Sequence, residues 1–351
     1  MSEVNNTGSF HTYLSEGCRL CQQGAKMVLF VTGVCHRDCF YCPVSAERRK
    51  DVVFANERVV NCDQDLIEEA RIMNALGTGI TGGEPLLVPE KVFHYIRLLK
   101  SEFGLGHHIH LYTSVAPDTD TISRLAEAGL DEIRFHPPAS MWDEMETSPY
   151  AASIGYARQF DIEAGIEVPA IEGIEKVAAF TRKMDCFLNL NELEFSESNA
   201  GAMSLKGFVL EGDISNAVAG SMELARNMLC RGGAGKVHFC TSTYKDAVQL
   251  RERLVRIARN TARVFDEITE EGTVIYGQIL CKDAEAAEEV TELLTEEGIP
   301  PEMIEVRDRS VETAWWVLED VADLVRENTE DVSIVERYPF ENGFVVEKIP
   351  L

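Results

Sequence analysis

From Lys26 onward, short apolar runs alternate with longer stretches of helical periodicity. Met27-Val-Leu-Phe-Val-Thr32 reads as a buried strand, and Gly77–Glu84 as a second strand running into a tight turn. His108–Ser114, Asp131–His136 (closed by Pro137-Pro138), Ile166–Ala170 and Phe187–Phe195 supply four more. Helices are predicted between them. Asn61–Ala75 has its start at Asp63 or Asp65, and Pro89–Phe103 gathers Val92, Tyr95, Ile96 and Leu99 on one face. Asp118–Ala128 is ended by Gly129, Ser148–Ala164 by Gly165, and Glu175–Met184 follows. Strands that alternate with helices of this length pair in parallel through right-handed crossovers. Six such units predict an α/β fold, a partial (β/α)6 TIM-like barrel, whose reactive groups belong at the C-terminal ends of the strands.

The pattern weakens at both ends. Residues 1–25 form an irregular lead-in, and residues 26–200 hold the barrel. Residues 201–260 extend it through a Gly- and Ala-rich stretch, with a helix expected over Ile214–Met228. That extension also carries a His-x-Cys strand, Val237–Cys240, and a basic-faced helix over Lys245–Ala258. Residues 261–351 change texture to a β-α-β-α-β-β series and predict a small C-terminal α/β domain of ordinary domain size.

The 351 residues suffice for a full core, and no apolar run approaches the roughly eighteen residues that span a bilayer. The start Met1-Ser-Glu-Val-Asn-Asn-Thr7 is polar, without a basic-then-apolar export pattern, so a cytoplasmic protein is expected. In that compartment ten cysteines argue for metal or redox chemistry over disulfides. A net charge of -26 disfavours broad attraction to nucleic acid or anionic membrane. Arg251, Arg253, Arg256, Arg259 and Arg263 leave room for a local basic patch.

The chemistry concentrates in Gly33-Val-Cys-His-Arg-Asp-Cys-Phe-Tyr-Cys-Pro43, which leaves the end of the first strand. Cys35, Cys39 and Cys42 can bring three sulfurs to one face of an iron–sulfur cluster. A zinc site wants a fourth ligand nearby in sequence, and the bland alternative is three unrelated buried thiols. Upstream, Cys18 and Cys21 form a Cys-x2-Cys half-site for zinc or iron. His238 and Cys240, two apart on a strand and so on one face, are candidates to complete it, with Cys230 as an alternate. Arg134 and His136 alternate on the fourth strand toward the barrel interior, and a buried arginine needs an anionic partner. Asn189 and Asn191 fall on one face of the sixth strand and Glu192 and Glu194 on the other, with either set able to line a cavity. Lys206 and Lys245 are weaker candidates.

The Cys-x3-Cys-x2-Cys spacing, with Tyr41 before the last cysteine, resembles the signature of the radical S-adenosylmethionine (radical SAM) enzymes. Thr81-Gly-Gly-Glu-Pro85 resembles that family's GGEP motif. The subgroup it is most similar to is that of pyruvate formate-lyase activating enzyme and its uncharacterised archaeal relatives. The resemblance covers about Lys26–Ser196. It implies a 4Fe-4S cluster on Cys35, Cys39 and Cys42, and S-adenosylmethionine (SAM) chelated to the open iron. Reductive cleavage would give a 5′-deoxyadenosyl radical that abstracts hydrogen from a substrate. It places Gly82, Gly83 and Glu84 at the methionine ammonium, Tyr41 near the adenine, and Ser114 at the ribose or carboxylate. Arg134 is then a candidate for the SAM carboxylate, and an electron donor such as ferredoxin or flavodoxin is implied. Gly165-Ile-Glu-Val-Pro-Ala-Ile-Glu172 departs from the family's adenine-side pattern, with only Gly165 and Glu172 agreeing. The rival readings are a non-enzymatic iron–sulfur electron carrier and a zinc-binding interaction protein. No catalytic side chain or substrate is legible.

Overall fold

The computed structural model describes residues 2–3, 7–232, 235–340 and 343–351. The polar start read at Met1–Thr7 lies largely outside them, as do Gly233 and Ala234 of the Gly- and Ala-rich stretch. The described chain forms two compact units: residues 1–71 with 75–250, and residues 72–74 with 251–351.

The first unit is built on β1 (Lys26–Phe30), β2 (Gly77–Thr81), β3 (His108–Thr113), β4 (Glu132–Phe135), β5 (Glu163–Pro169), β6 (Phe187–Asn191) and β7 (Val237–Cys240). All seven pair in parallel and in chain order. The six expected strands are all present, and Val237–Cys240 carries the arc one strand further. The arc stays open. A short hairpin through Phe54–Ala55 and Arg58–Val59 flanks β1, and Phe10–His11 pairs antiparallel with β7. Met27, Leu29, Ile80, Leu111, Ile133, Ile166, Leu188 and Leu190 are fully buried along these strands.

The lead-in is more ordered than its sequence suggests. Its cysteine pair sits on helix α1 (Glu16–Gln22), whose Gly17 N–H donates to Glu132 at the start of β4. A Cβ on Gly17 would stand 2.6 Å from both the Arg134 guanidinium and the His110 ring. Leu20 reaches Gly77 at the start of β2. The helix therefore lies across the N-terminal ends of the strands. Further on, the helix expected over Ile214–Met228 begins only at Ser221, and Ile214 itself is exposed.

The expected basic helix over Lys245–Ala258 is not one regular element. A π-turn spans Lys245–Leu250, and an α-helix then runs Arg251–Thr261. The boundary between the two compact units falls between Leu250 and Arg251. Leu254 and Val255 pack on Gly272, and Thr261 Oγ1 donates to the Pro339 carbonyl, so this helix is held by the C-terminal unit. Arg263 lies beyond the helix and is ion-paired to Asp266, Glu305 and Glu312 instead of joining a basic face. The sheet of this unit is antiparallel throughout, with Val274–Cys281 between Ser310–Thr313 and Thr329–Arg337. Helices Ala284–Glu296 and Trp315–Val325 contribute Val290, Leu294, Leu318 and Val325 to its core.

Candidate functional site

The cysteine loop leaves β1 and is fixed by backbone contacts that tolerate no side chain. Gly33 N–H donates to the Lys50 carbonyl at 2.7 Å, and a Cβ there would lie 1.6 Å from the Arg48 oxygen. Gly83 N–H donates to Thr32 O at 2.7 Å and Glu84 N–H to Val34 O at 2.8 Å. Cβ atoms on Gly82 and Gly83 would approach Thr32 O and Val34 O at 2.4 and 2.5 Å. The glycine turn after β2 thus presses directly on the root of the loop. Its Gly83 and Glu84 N–H groups are used up there, which leaves carbonyl acceptors, the kind of group that an ammonium needs.

Glu84 is fully buried and faces inward. Oε1 accepts from Leu86 N–H at 3.0 Å and Thr113 Oγ1 at 2.7 Å; Oε2 accepts from Ser114 N–H at 2.6 Å and its hydroxyl at 2.7 Å. The Ser114 hydroxyl is therefore spent on Glu84, and its carbonyl accepts from Arg37 on the cysteine loop and from Tyr150. Both residues bracket the ends of β2 and β3.

Farther along the loop, the Tyr41 hydroxyl lies 2.8 Å from His136 Nε2. His136 Nδ1 is 2.7 Å from the Glu167 carbonyl, so Nδ1 carries the proton and Nε2 accepts from Tyr41. Burial holds the His136 pKa below its ordinary value, with the Glu167 carbonyl acting against that. Tyr41 is pushed up, first by burial and then by Cys39. Burial also raises the Cys39 thiol. The Asn199 amide donates to the Tyr41 carbonyl at 3.1 Å, and Phe40 stacks on Phe208 at 5.5 Å. Lys206 sits over the Phe40 ring, away from the cavity lining.

Arg134 lies one pleat deeper on β4, almost fully buried. Its partners are internal. It donates to Glu132 Oε1 at 2.5 Å, Glu167 Oε2 and the Tyr112 hydroxyl at 2.9 Å, and Ser15 Oγ at 3.1 Å. The anion anticipated for it is thus a pair of protein carboxylates, supplied by the neighbouring strand and its own. Glu167, from the stretch that departs from the family pattern, is a site residue that sequence reasoning passed over. Burial alone would raise it; Arg134 and the amides of Asn191 and Asn189 outweigh that and hold it below the usual carboxylate range.

One cavity of about 1080 Å³ joins these layers. Cys35, Cys39, Cys42, Gly82 and Gly83 line its upper part, at the C-terminal strand ends. Arg134, Glu167, Asn189 and Asn191 line the middle, with His238 and Cys240 beside the two asparagines, and Cys18, Cys21 and Lys26 line the floor. Glu192 and Glu194 line it as well, because strict alternation ends with β6 at Asn191. Lys245 is ion-paired to Glu194 at its rim. Among the described residues, His108, His110 and Glu132 are the one group of His, Cys and carboxylate ligands whose donor atoms all lie within 4.8 Å. Glu132 there is already bonded to Ser15, Gly17 N–H and Arg134.

The three loop cysteines are free and open to the cavity. Three thiols on one short loop are a ligand set that iron–sulfur clusters use. Residues 29–140 match the family model of the Radical SAM superfamily. A "Putative glycyl-radical enzyme activating enzyme" of Methanocaldococcus jannaschii is 37% identical over 96% of this chain and 93% of its own length. The chain belongs to the radical SAM superfamily. It is an enzyme whose cofactors are a 4Fe-4S cluster and SAM, and whose reaction opens with reductive cleavage of SAM to a 5′-deoxyadenosyl radical. The electron-carrier and zinc-binding readings fall with that match.

Residues 272–351 match a domain of unknown function, DUF8061. Among solved structures, anSMEcpe with bound AdoMet is similar at a TM-score of 0.38 and 14% identity, over 60% of this chain and 63% of that one. Coproporphyrinogen III oxidase from Escherichia coli is similar at a TM-score of 0.37 and 9% identity, over 89% and 93%. These structural likenesses add nothing to the assignment, which rests on the sequence match. No helix among the described residues is long and apolar enough to cross a membrane.

Proposed function

We propose that this radical SAM enzyme holds its cluster on Cys35, Cys39 and Cys42 and seats SAM between that loop and the Gly82–Gly83 turn. The close packing of Gly82 and Gly83 on Thr32–Val34 carries this reading, because it sets acceptor backbone beside three free thiols at one strand end. When bound, the cluster supplies the electron that cleaves the sulfonium and frees the radical. The chain's own residues position and shield. Glu84 and Ser114 keep the turn and β3 in register, and the Tyr41 hydroxyl is held by His136. Arg134 acts from below by fixing Glu167, not through a SAM carboxylate.

A substrate below SAM meets Glu167, Asn189 and Asn191, a lining that favours a polar molecule with hydrogen-bond donors. The name of the 37% identical relative supports a second reading, in which the hydrogen comes from a glycine of a partner enzyme. A ferredoxin or flavodoxin is the electron source in either case.

Anaerobic reconstitution with iron and sulfide, reduction and addition of SAM should yield 5′-deoxyadenosine, and Cys39→Ala should abolish it. A fully loaded cluster that leaves SAM intact would overturn the assignment. A hydrogen–deuterium exchange assay of the product against candidate substrates then separates a small polar donor from a protein glycine.

A further inference from the structure

Cys18 and Cys21 lie one helical turn apart on α1, and they line the same cavity as His238 and Cys240 on β7. The register explains how. Parallel pairing sets Asn189 beside His238 and Asn191 beside Cys240, and the Asn189 amide reaches Cys18 Sγ at 3.4 Å. The Gln249 amide donates to Cys240 Sγ at 3.5 Å. Each of these buried sulfurs thus faces an N–H donor, an arrangement that stabilises thiolate more than thiol.

Two further observations bear on this place. His238 is 4% exposed, and its Nε2 has no hydrogen-bond partner among the described residues. Lys26 also lines the floor, and no described carboxylate lies within ion-pairing distance of its ammonium. A buried imidazole nitrogen without a partner is costly as it stands. A thiolate-ligated metal centre gives that nitrogen a bond and the half-buried ammonium a counter-charge.

Three cysteines with one histidine are a donor set that iron–sulfur centres use. We propose that Cys18, Cys21 and Cys240 hold a second iron–sulfur cluster on the cavity floor, with His238 as its fourth donor and Lys26 as its counter-charge. The substrate space then lies between two metal centres.

The full-length Cys35→Ala/Cys39→Ala/Cys42→Ala variant, reconstituted anaerobically with ferrous iron and sulfide, tests this apart from the SAM site. It should retain about half the iron and acid-labile sulfide of the unaltered chain, about four atoms of each. Adding Cys21→Ala should remove them. A triple variant with an unchanged circular dichroism spectrum and no iron overturns the proposal, as does one that takes up zinc without sulfide. Should the triple variant fail to fold, Cys21→Ala alone in the unaltered chain should lower iron by about half while the SAM-induced change in the electron paramagnetic resonance spectrum persists. Unchanged iron in that variant sinks the second cluster.

Discussion

The Tyr41 hydroxyl and His136 Nε2 lie 2.8 Å apart, and this bond ties the cysteine loop to the end of the fourth strand. Tyr41→Phe removes the donor and leaves a part-buried ring nitrogen unsatisfied. The expected cost is about 1–2 kcal/mol in urea denaturation. The loosened loop should also lose iron faster on dilution into chelator than the unaltered chain does. Equal iron loss would mean that the loop is held by its backbone contacts alone.

Gly83 has no room for a methyl group, because Val34 O and Gly33 O stand 2.5 and 2.7 Å from where it would be. Gly83→Ala must push the loop root away from the glycine turn. About 2 kcal/mol or more of stability should go, together with most 5′-deoxyadenosine formation. Gly155, where a Cβ meets nothing within 4 Å, provides the control. Gly155→Ala should be neutral or slightly stabilising in the same denaturation assay, as it sits in helix Pro149–Gln159.

Arg134 neutralises Glu132, which is fully buried, and Glu167, which borders the cavity. Arg134→Met strands the buried Glu132 carboxylate and unpairs Glu167, and a loss of about 3–5 kcal/mol follows. The double variant Arg134→Met/Glu167→Gln should recover part of it, because one stranded charge is gone. If the single variant unfolds at the same urea concentration as the unaltered chain, the Glu132 carboxylate is not buried as described.

Acid should weaken the barrel through its buried histidines. His107 is 3% exposed and sits 2.8 Å from Thr78 Oγ1. Burial, and then the charge of Lys100, lower its pKa from 6.5 to about 4. Between those values the unfolded chain binds the proton that the folded chain refuses, so stability rises with pH. His107's contribution is complete above 6.5 and is lost as pH falls toward 4. Its slope is at most about 1.4 kcal/mol per pH unit. Denaturation midpoints at pH 5 and pH 7.5 should differ less in His107→Asn than in the unaltered chain; an identical pH dependence counts against a neutral buried imidazole.

What the sequence made legible was local. Cys35, Cys39, Cys42 and the Gly82–Pro85 turn are short motifs, and strand–helix alternation places both at strand ends. Arg134 shows the limit. That it would be buried and need an anion followed from its strand, but Glu132, Glu167, Tyr112 and Ser15 converge on it from four separate segments. No spacing announces such a convergence. Glu167 looked like a departure from a pattern and is instead held by three donors in the middle of the cavity. Lys26 was merely the first residue of a strand, and its significance depends on α1 lying over it. The extra strand Val237–Cys240 was readable as a strand; its parallel pairing with Phe187–Asn191 required the intervening helices to bring it home.

The floor helix has a consequence for the order in which the molecule is made. The segment ahead of it, Phe10–His11, is pinned to His238 and Phe239, and Ser9 bonds Thr241 at 2.9 Å across 232 residues. During synthesis Cys18 and Cys21 emerge among the first residues, but His238 and Cys240, which line the same cavity, are not translated until more than two hundred residues later. Closing so long a loop is slow compared with pairing adjacent strands. The upper loop and its glycine turn can dock as soon as the second strand exists, so the floor is the last part of the barrel to shut. Iron delivered to a nascent chain would meet the two ends of the cavity at different times.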